Sequence, residues 1–124
     1  MALILVADDD ASVRRVTRRA LERSGHDVVE AVDGDDCLRI ARARPPALIV
    51  LDIYMPRRDG IETLQALKEE LPAVPVLVIS GGGERGDSHM ALPDALLLGA
   101  DAILAKPFTV TELQDAVRAL GPAP

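Results

Sequence analysis

Short apolar runs alternate with amphipathic segments five times along this chain, and that alternation restricts the fold more than any other feature. Strands joined through helices run parallel, and the helices then cover both faces of the sheet. The apolar runs predict strands at about 2–7, 27–32, 47–51, 75–80 and 102–105. Helical spacing predicts a first helix at 12–24 that turns Val13, Val16, Thr17, Ala20 and Leu21 inward and stops at Gly25. A second at 34–43 buries Leu38 and Ala41 and ends before Pro45-Pro46, and a third at 60–70 carries Ile61, Leu64 and Leu67 up to the stop at Pro72. The last, at 110–120, opens with Thr109-Val110-Thr111-Glu112, a capping-box pattern, and turns Leu113, Ala116, Val117 and Leu120 inward. The fourth helix, within 90–98, is the least defined, since Pro93 interrupts it and Gly81-Gly82-Gly83 precedes it. The fold class is α/β, a doubly wound five-stranded parallel sheet with five helices.

A chain of 124 residues is the size of one domain, so 1–124 reads as a single unit with no room for an output domain. Aromatic residues are 2% of it, Tyr54 and Phe108 alone, so the core is aliphatic and no base-stacking platform exists. A net charge of -6 repels phosphate backbones, which argues against nucleic acid as a partner. Cys37 is the sole cysteine, which excludes an internal disulfide and suits a buried, inert thiol. No apolar run approaches a membrane span and the run from Ala2 is too short for a signal peptide, so the expected location is the cytoplasm, with no membrane insertion.

Four chemical signals stand where predicted strands run out: Asp8-Asp9-Asp10 after the first, Asp52 after the third, Ser80 after the fourth and Lys106 after the fifth. In an open parallel sheet those carboxyl ends face one side, and ligands bind in the crevice above them. Singly each is ordinary. An acidic run before a helix is usually an N-cap, a serine a turn residue, and a lysine before proline a solvated charge. Together they converge carboxylates, a hydroxyl and an ammonium, a set suited to a divalent metal and a phosphoryl group.

Leu5-Val6-Ala7-Asp8-Asp9-Asp10, Leu51-Asp52-Ile53-Tyr54-Met55-Pro56-Arg57-Arg58-Asp59-Gly60, Val78-Ile79-Ser80-Gly81 and Ala105-Lys106-Pro107-Phe108 carry a resemblance that spans essentially the whole chain. It resembles the receiver domain of two-component response regulators, the CheY-like family. The resemblance implies a flavodoxin-like sheet of order 2-1-3-4-5 in which Asp52 accepts a phosphoryl group from a phosphohistidine on a sensor histidine kinase or histidine phosphotransfer protein. It implies Mg²⁺, contacted directly by Asp9 and Asp52, mainly through water by Asp8, and by the backbone carbonyl of Tyr54. Ser80 and the Gly81 N–H would meet the phosphoryl oxygens, with Lys106 on another, and Lys106-Pro107 would be cis. The implied role is a stand-alone phosphoacceptor that promotes its own phosphorylation and dephosphorylation, not a dedicated enzyme, and that signals or relays to a protein target through a surface change.

Two features depart from the family pattern. Ile103 stands where an aromatic switch residue is usual, and the segment between Ser80 and Lys106 is longer than usual. Gly60 is expected to supply backbone angles that a side chain would penalise, and Asp59 to cap the third helix. Arg14, Arg15, Arg18, Arg19 and Arg23 make the exposed side of the first helix basic, as a solvated face or as a dock for a kinase's phosphotransfer helix. His26 and His89 lack partners at metal-binding spacing. Two other functions compete. An aspartyl-phosphate hydrolase usually needs a second acid two residues after its nucleophile, where Tyr54 stands, and a degenerate receiver used only for binding would not need the acids, Ser80 and Lys106 together. A nucleotide- or flavin-binding protein would want a phosphate cradle where Asp8-Asp9-Asp10 would repel the ligand.

Overall fold

The computed structural model describes residues 2–53, 60–80 and 99–121. Within them lie strands β1 (Leu3–Ala7), β2 (Asp27–Ala31), β3 (Leu48–Asp52), β4 (Val76–Ser80) and β5 (Ala102–Ala105). The helices are α1 (Ala11–Arg23), α2 (Gly34–Ala43), α3 (Gly60–Glu70) and α4 (Val110–Ala119). All strands pair in parallel, in the order β2-β1-β3-β4-β5, the flavodoxin-like arrangement. The helix expected within 90–98 lies outside the described residues, as do Tyr54, Asp59, Gly81 and His89.

Side chains alternate across the sheet with period two, and both faces are covered. Ile4, Val6, Leu48, Val50, Leu77 and Ile79 pack against Ala20 and Leu21 of α1 and Leu113 and Val117 of α4. Leu5, Ala7, Ile49, Leu51, Val76 and Val78 pack on the other face with Leu38 and Ala41 of α2 and Leu64 and Leu67 of α3. β3 and β4 are buried along their whole length, which is why they read as unbroken apolar runs. Truncating any of these leucines to alanine costs about 2–5 kcal/mol.

The helix ends follow from local chemistry. The Asp10 carboxylate caps α1 by accepting from the Ser12 and Val13 N–H groups at 2.8 and 3.3 Å. Gly25, at φ +91°, turns the chain out of that helix in a conformation that side chains penalise. At α4 the Thr109 N–H donates to Glu112 Oε1 at 2.9 Å while the Glu112 N–H donates to Thr109 Oγ at 3.0 Å, the reciprocal box expected there. The Lys106-Pro107 bond is cis.

Three expectations change. Val16 does not face inward but is 57% exposed. At about 100° per residue it sits at one rim of the stripe centred on Thr17, Ala20 and Leu21, whereas Arg14, at the opposite rim, is the one covered. The exposed basic side is correspondingly smaller, because Arg14 and Arg18 are engaged with Glu30 of β2. Gly60 is required for space, not for unusual angles. A Cβ there would overlap the Ile53 backbone, including its carbonyl oxygen, and only a residue without one lets α3 start so close to β3.

Cys37 is fully buried in α2 among Asp33 and Asp36, and burial pushes its thiol pKa up to about 12. A thiol reagent at pH 8 is expected to leave the native protein unlabelled while labelling it stoichiometrically in urea. Fast labelling of the folded chain would place Cys37 elsewhere.

Candidate functional site

The carboxyl ends of β1, β3, β4 and β5 deliver the site. Asp10 takes up the capping of α1, and this leaves Asp8 and Asp9 free to face the crevice. Asp8 follows β1 directly. Its N–H donates to the Ala31 carbonyl at 3.2 Å, and its own Oδ1 accepts from the Asp10 N–H at 2.9 Å. Asp52 is the final residue of β3, held in register opposite Ile79, and Ser80 is the final residue of β4, opposite Ala105. The Lys106 N–H donates to the Ser80 carbonyl at 2.8 Å, which continues the ladder one residue past β5.

Asp8, Asp9 and Asp52 each offer a carboxylate oxygen, all within 4.8 Å of one another. Lys106 Nζ lies 3.7 Å from Asp8 Oδ2 and 3.7 Å from Asp52 Oδ2. Asp8, Asp52 and Ser80 are buried, whereas Asp9 is exposed and opens the cluster to solvent on one side. Burial drives the Asp8 carboxyl above the ordinary carboxylate range and Asp9 adds to the rise. The Asp10 N–H, Lys106 and a hydrogen bond with Asp52 oppose it without cancelling it.

The residues fit Mg²⁺. Every donor is a hard oxygen, the exposed Asp9 leaves a side open to retained waters, and among the described residues Lys106 compensates one of three carboxylate charges, a remainder that a divalent cation would balance. Such an ion would polarise phosphoryl oxygens and screen the acids from one another. The Tyr54 carbonyl and Gly81 N–H lie outside the described residues.

Ile103 is half-buried in β5, opposite Val78, and packs against the core shared by α2 and α3. The aliphatic side chain thus occupies the position where the family usually keeps a ring. One interaction escaped the sequence reading. Arg14, counted there among the exposed arginines, turns back and donates from Nη1 to the Asp8 main-chain oxygen at 2.7 Å. The available signal was Glu30, a lone acid inside the apolar run Val28-Val29-Glu30-Ala31, which marks a cation on the covering helix.

Fold and site together define a doubly wound α/β domain with a cluster of three carboxylates, one of a kind that could hold a metal ion, at the carboxyl edge of its sheet. A family model described as the response regulator receiver domain matches residues 4–118, and the chain belongs to that family. It is 38% identical over 117 residues to the alkaline phosphatase synthesis transcriptional regulatory protein PhoP of Bacillus subtilis, covering 94% of this chain and 47% of the relative. The receiver domain of NtrX from Brucella abortus superposes with a TM-score of 0.84 at 34% identity, covering 97% of this chain and 99% of that one. The chemotaxis response regulator CheY4 of Vibrio cholerae gives 0.84 at 25% identity, covering 97% and 98%. The chain spans about half the length of the curated relatives it matches. Receivers are phosphoacceptor signalling modules, not dedicated enzymes, and histidine kinases supply their phosphoryl groups. No helix among the described residues is long and apolar enough to cross a membrane.

Asp8→Asn is expected to stabilise the metal-free protein. Burial is the main cost of the Asp8 charge, and repulsion between carboxylates, roughly 4 kcal/mol at about 4 Å and an effective dielectric near 20, adds to it, so removing that charge should raise stability on the order of 1–2 kcal/mol in EDTA at neutral pH. The raised Asp8 pKa means that the fold binds this proton more tightly than the unfolded chain, so wild-type stability falls as pH rises through the raised value. The advantage of the variant should therefore shrink as pH drops toward the ordinary carboxylate range. Urea melts that show Asp8→Asn to be less stable at neutral pH would contradict this electrostatic picture.

Proposed function

We propose that the protein is a phosphorylatable switch in which Asp52 receives a phosphoryl group from a phosphohistidine on a sensor histidine kinase or histidine phosphotransfer protein, with Mg²⁺ as cofactor. The observation that carries this is the position of Lys106 Nζ, 3.7 Å from both Asp8 and Asp52, over an acidic cluster that closes to within 4.8 Å. Asp52 presents a carboxylate oxygen to phosphorus. The P–N bond to the donor imidazole breaks as the P–O bond forms, and the electron pair leaves with the imidazole. Lys106 is placed to meet the charge on the phosphoryl oxygens, and Ser80, at the tip of the adjacent strand, supplies a hydroxyl to a second one. The Gly81 N–H is assigned to these oxygens by its sequence motif. Asp9 and Asp52 would hold the ion directly, with the Tyr54 carbonyl. Asp8, with one oxygen already committed to the Asp10 N–H, would act mainly through water.

With Ile103 in the place of a ring, the signal reaches its protein target by a route other than an aromatic rotation in β5. The donor docks on α1, where Arg15, Arg19 and Arg23 are exposed and form no ion pair among the described residues, beside the exposed Val16. The transcriptional role in the name of the Bacillus relative belongs to a protein about twice as long and is not transferred.

Incubation with a small-molecule phosphodonor and Mg²⁺ should add one phosphoryl group by intact mass, absent in Asp52→Asn and abolished by EDTA. Unlabelled wild type, or equal labelling of Asp52→Asn, would remove the assignment. Reversing the charge of Arg15 and Arg19 should slow phosphotransfer from a protein donor roughly tenfold or more through lost electrostatic steering, and leave the small-molecule reaction unchanged. Equal slowing with both donors would mean that these arginines act on the site and not on docking.

A further inference from the structure

The cluster is made of carboxylates, yet one guanidinium contacts the main chain that joins two of them. Asp8 lies one residue beyond β1, where the β1–β2 register ends at Ala7 opposite Ala31. Its N–H still finds the Ala31 carbonyl, at 3.2 Å. Its carbonyl, the oxygen of the Asp8–Asp9 peptide, is met by Arg14 Nη1 at 2.7 Å, a short, charge-assisted contact. The same guanidinium donates from Nε to Glu30 Oε1 at 3.0 Å, and the second Glu30 oxygen accepts from Arg18 Nη1 at 2.9 Å. The Arg14 side chain is only 13% exposed. Arg18 and Arg14 hold the Glu30 carboxyl below its usual range despite its partial burial, so Glu30 stays charged as an anchor.

We propose that Arg14 is a positioning residue of the metal site: braced by Glu30, it fixes the Asp8–Asp9 peptide and so sets where both carboxylates stand. The orientation of that one peptide governs the directions of the side chains before and after it. Asp8 and Asp9 together supply two of the three acidic groups of the cluster. Arg14 touches neither carboxylate through a contact in the described structure, and its influence passes through the main chain. The inference rests on the reading of the pocket as a Mg²⁺ site and adds a residue to it.

Geometry and bulk electrostatics predict opposite signs. Removing a positive charge near an acidic pocket should tighten Mg²⁺ binding if Arg14 acts only through its field. It should weaken binding if Arg14 holds the ligands in place, by roughly tenfold, the lower end of what loss of an outer-shell partner does at metal sites. The test is calorimetric titration with Mg²⁺ alone, paired with urea melts in EDTA, for wild type, Arg14→Met, Arg14→Lys and Arg18→Met. Arg14→Met is expected to bind Mg²⁺ about tenfold more weakly. Arg14→Lys keeps the charge but carries all its donors on a single nitrogen, which cannot reproduce the separate Nε contact to Glu30 and Nη1 contact to the Asp8 carbonyl, and should fall between; it carries the test if Arg14→Met does not fold. Arg18→Met, which loses a Glu30 contact but none to Asp8, should bind like wild type. Unchanged or tighter binding in both Arg14 variants, or equal weakening in Arg18→Met, would overturn the role of Arg14 while leaving the pocket intact. Wild type that takes up no Mg²⁺ would overturn the metal-site reading and this inference together.

Discussion

Three carboxylates held within 4.8 Å of one another, two of them buried, are a standing source of repulsion, and the rest of the molecule is arranged around tolerating it. Asp52 cannot withdraw because it is part of the ladder of β3, and Asp8 cannot because its N–H and one carboxylate oxygen are tied to neighbouring backbone. Lys106 offsets part of the charge from above, at equal distance from both buried acids. What remains uncompensated among the described residues is an anionic field that a divalent cation can neutralise, and only with that field neutralised is the crevice open to an anionic phosphoryl group.

A parallel sheet with both faces covered is what makes such a cluster stable to displacement. Leucines, isoleucines and valines lock each strand in register from two sides, so the strand tips are fixed to within the tolerance of a close-packed core. The acids are therefore positioned by apolar burial far from the crevice. Local capping divides the labour in Asp8-Asp9-Asp10, with the third acid closing α1 and the first two left to the pocket. Glycine at position 60 serves the same end, since α3 can begin against the Ile53 backbone only where no Cβ intervenes.

The parts legible in the sequence are those fixed by periodicity and by spacing along the chain. The five strands, their parallel order through the family resemblance, the capping box at Thr109 and the burial of Cys37 all have one-dimensional signatures. The acid and lysine positions were legible because strand ends map onto one edge of the fold. Val16 and Arg14 were not, because helical spacing fixes a stripe but not the roll of the helix about its axis, and the roll observed buries Thr17, Ala20 and Leu21 while bringing Arg14 and Arg18 onto Glu30. Gly60 was read for its backbone freedom when the determinant was a distance to a residue seven positions away. Lys68, which ties α3 to the start of β5 through Asp101 at 3.0 Å, is likewise a long-range pairing with no local pattern.

The central claim is that these acids share one cation and that Asp52 is among its holders. Urea unfolding with and without saturating Mg²⁺, for wild type and Asp52→Asn, tests it most directly. A site filled to about 100 times its dissociation constant stabilises by roughly 2.7 kcal/mol, so the wild-type midpoint should rise markedly with Mg²⁺ while that of Asp52→Asn rises little. A wild-type midpoint indifferent to Mg²⁺, or an equal rise in both proteins, would contradict it.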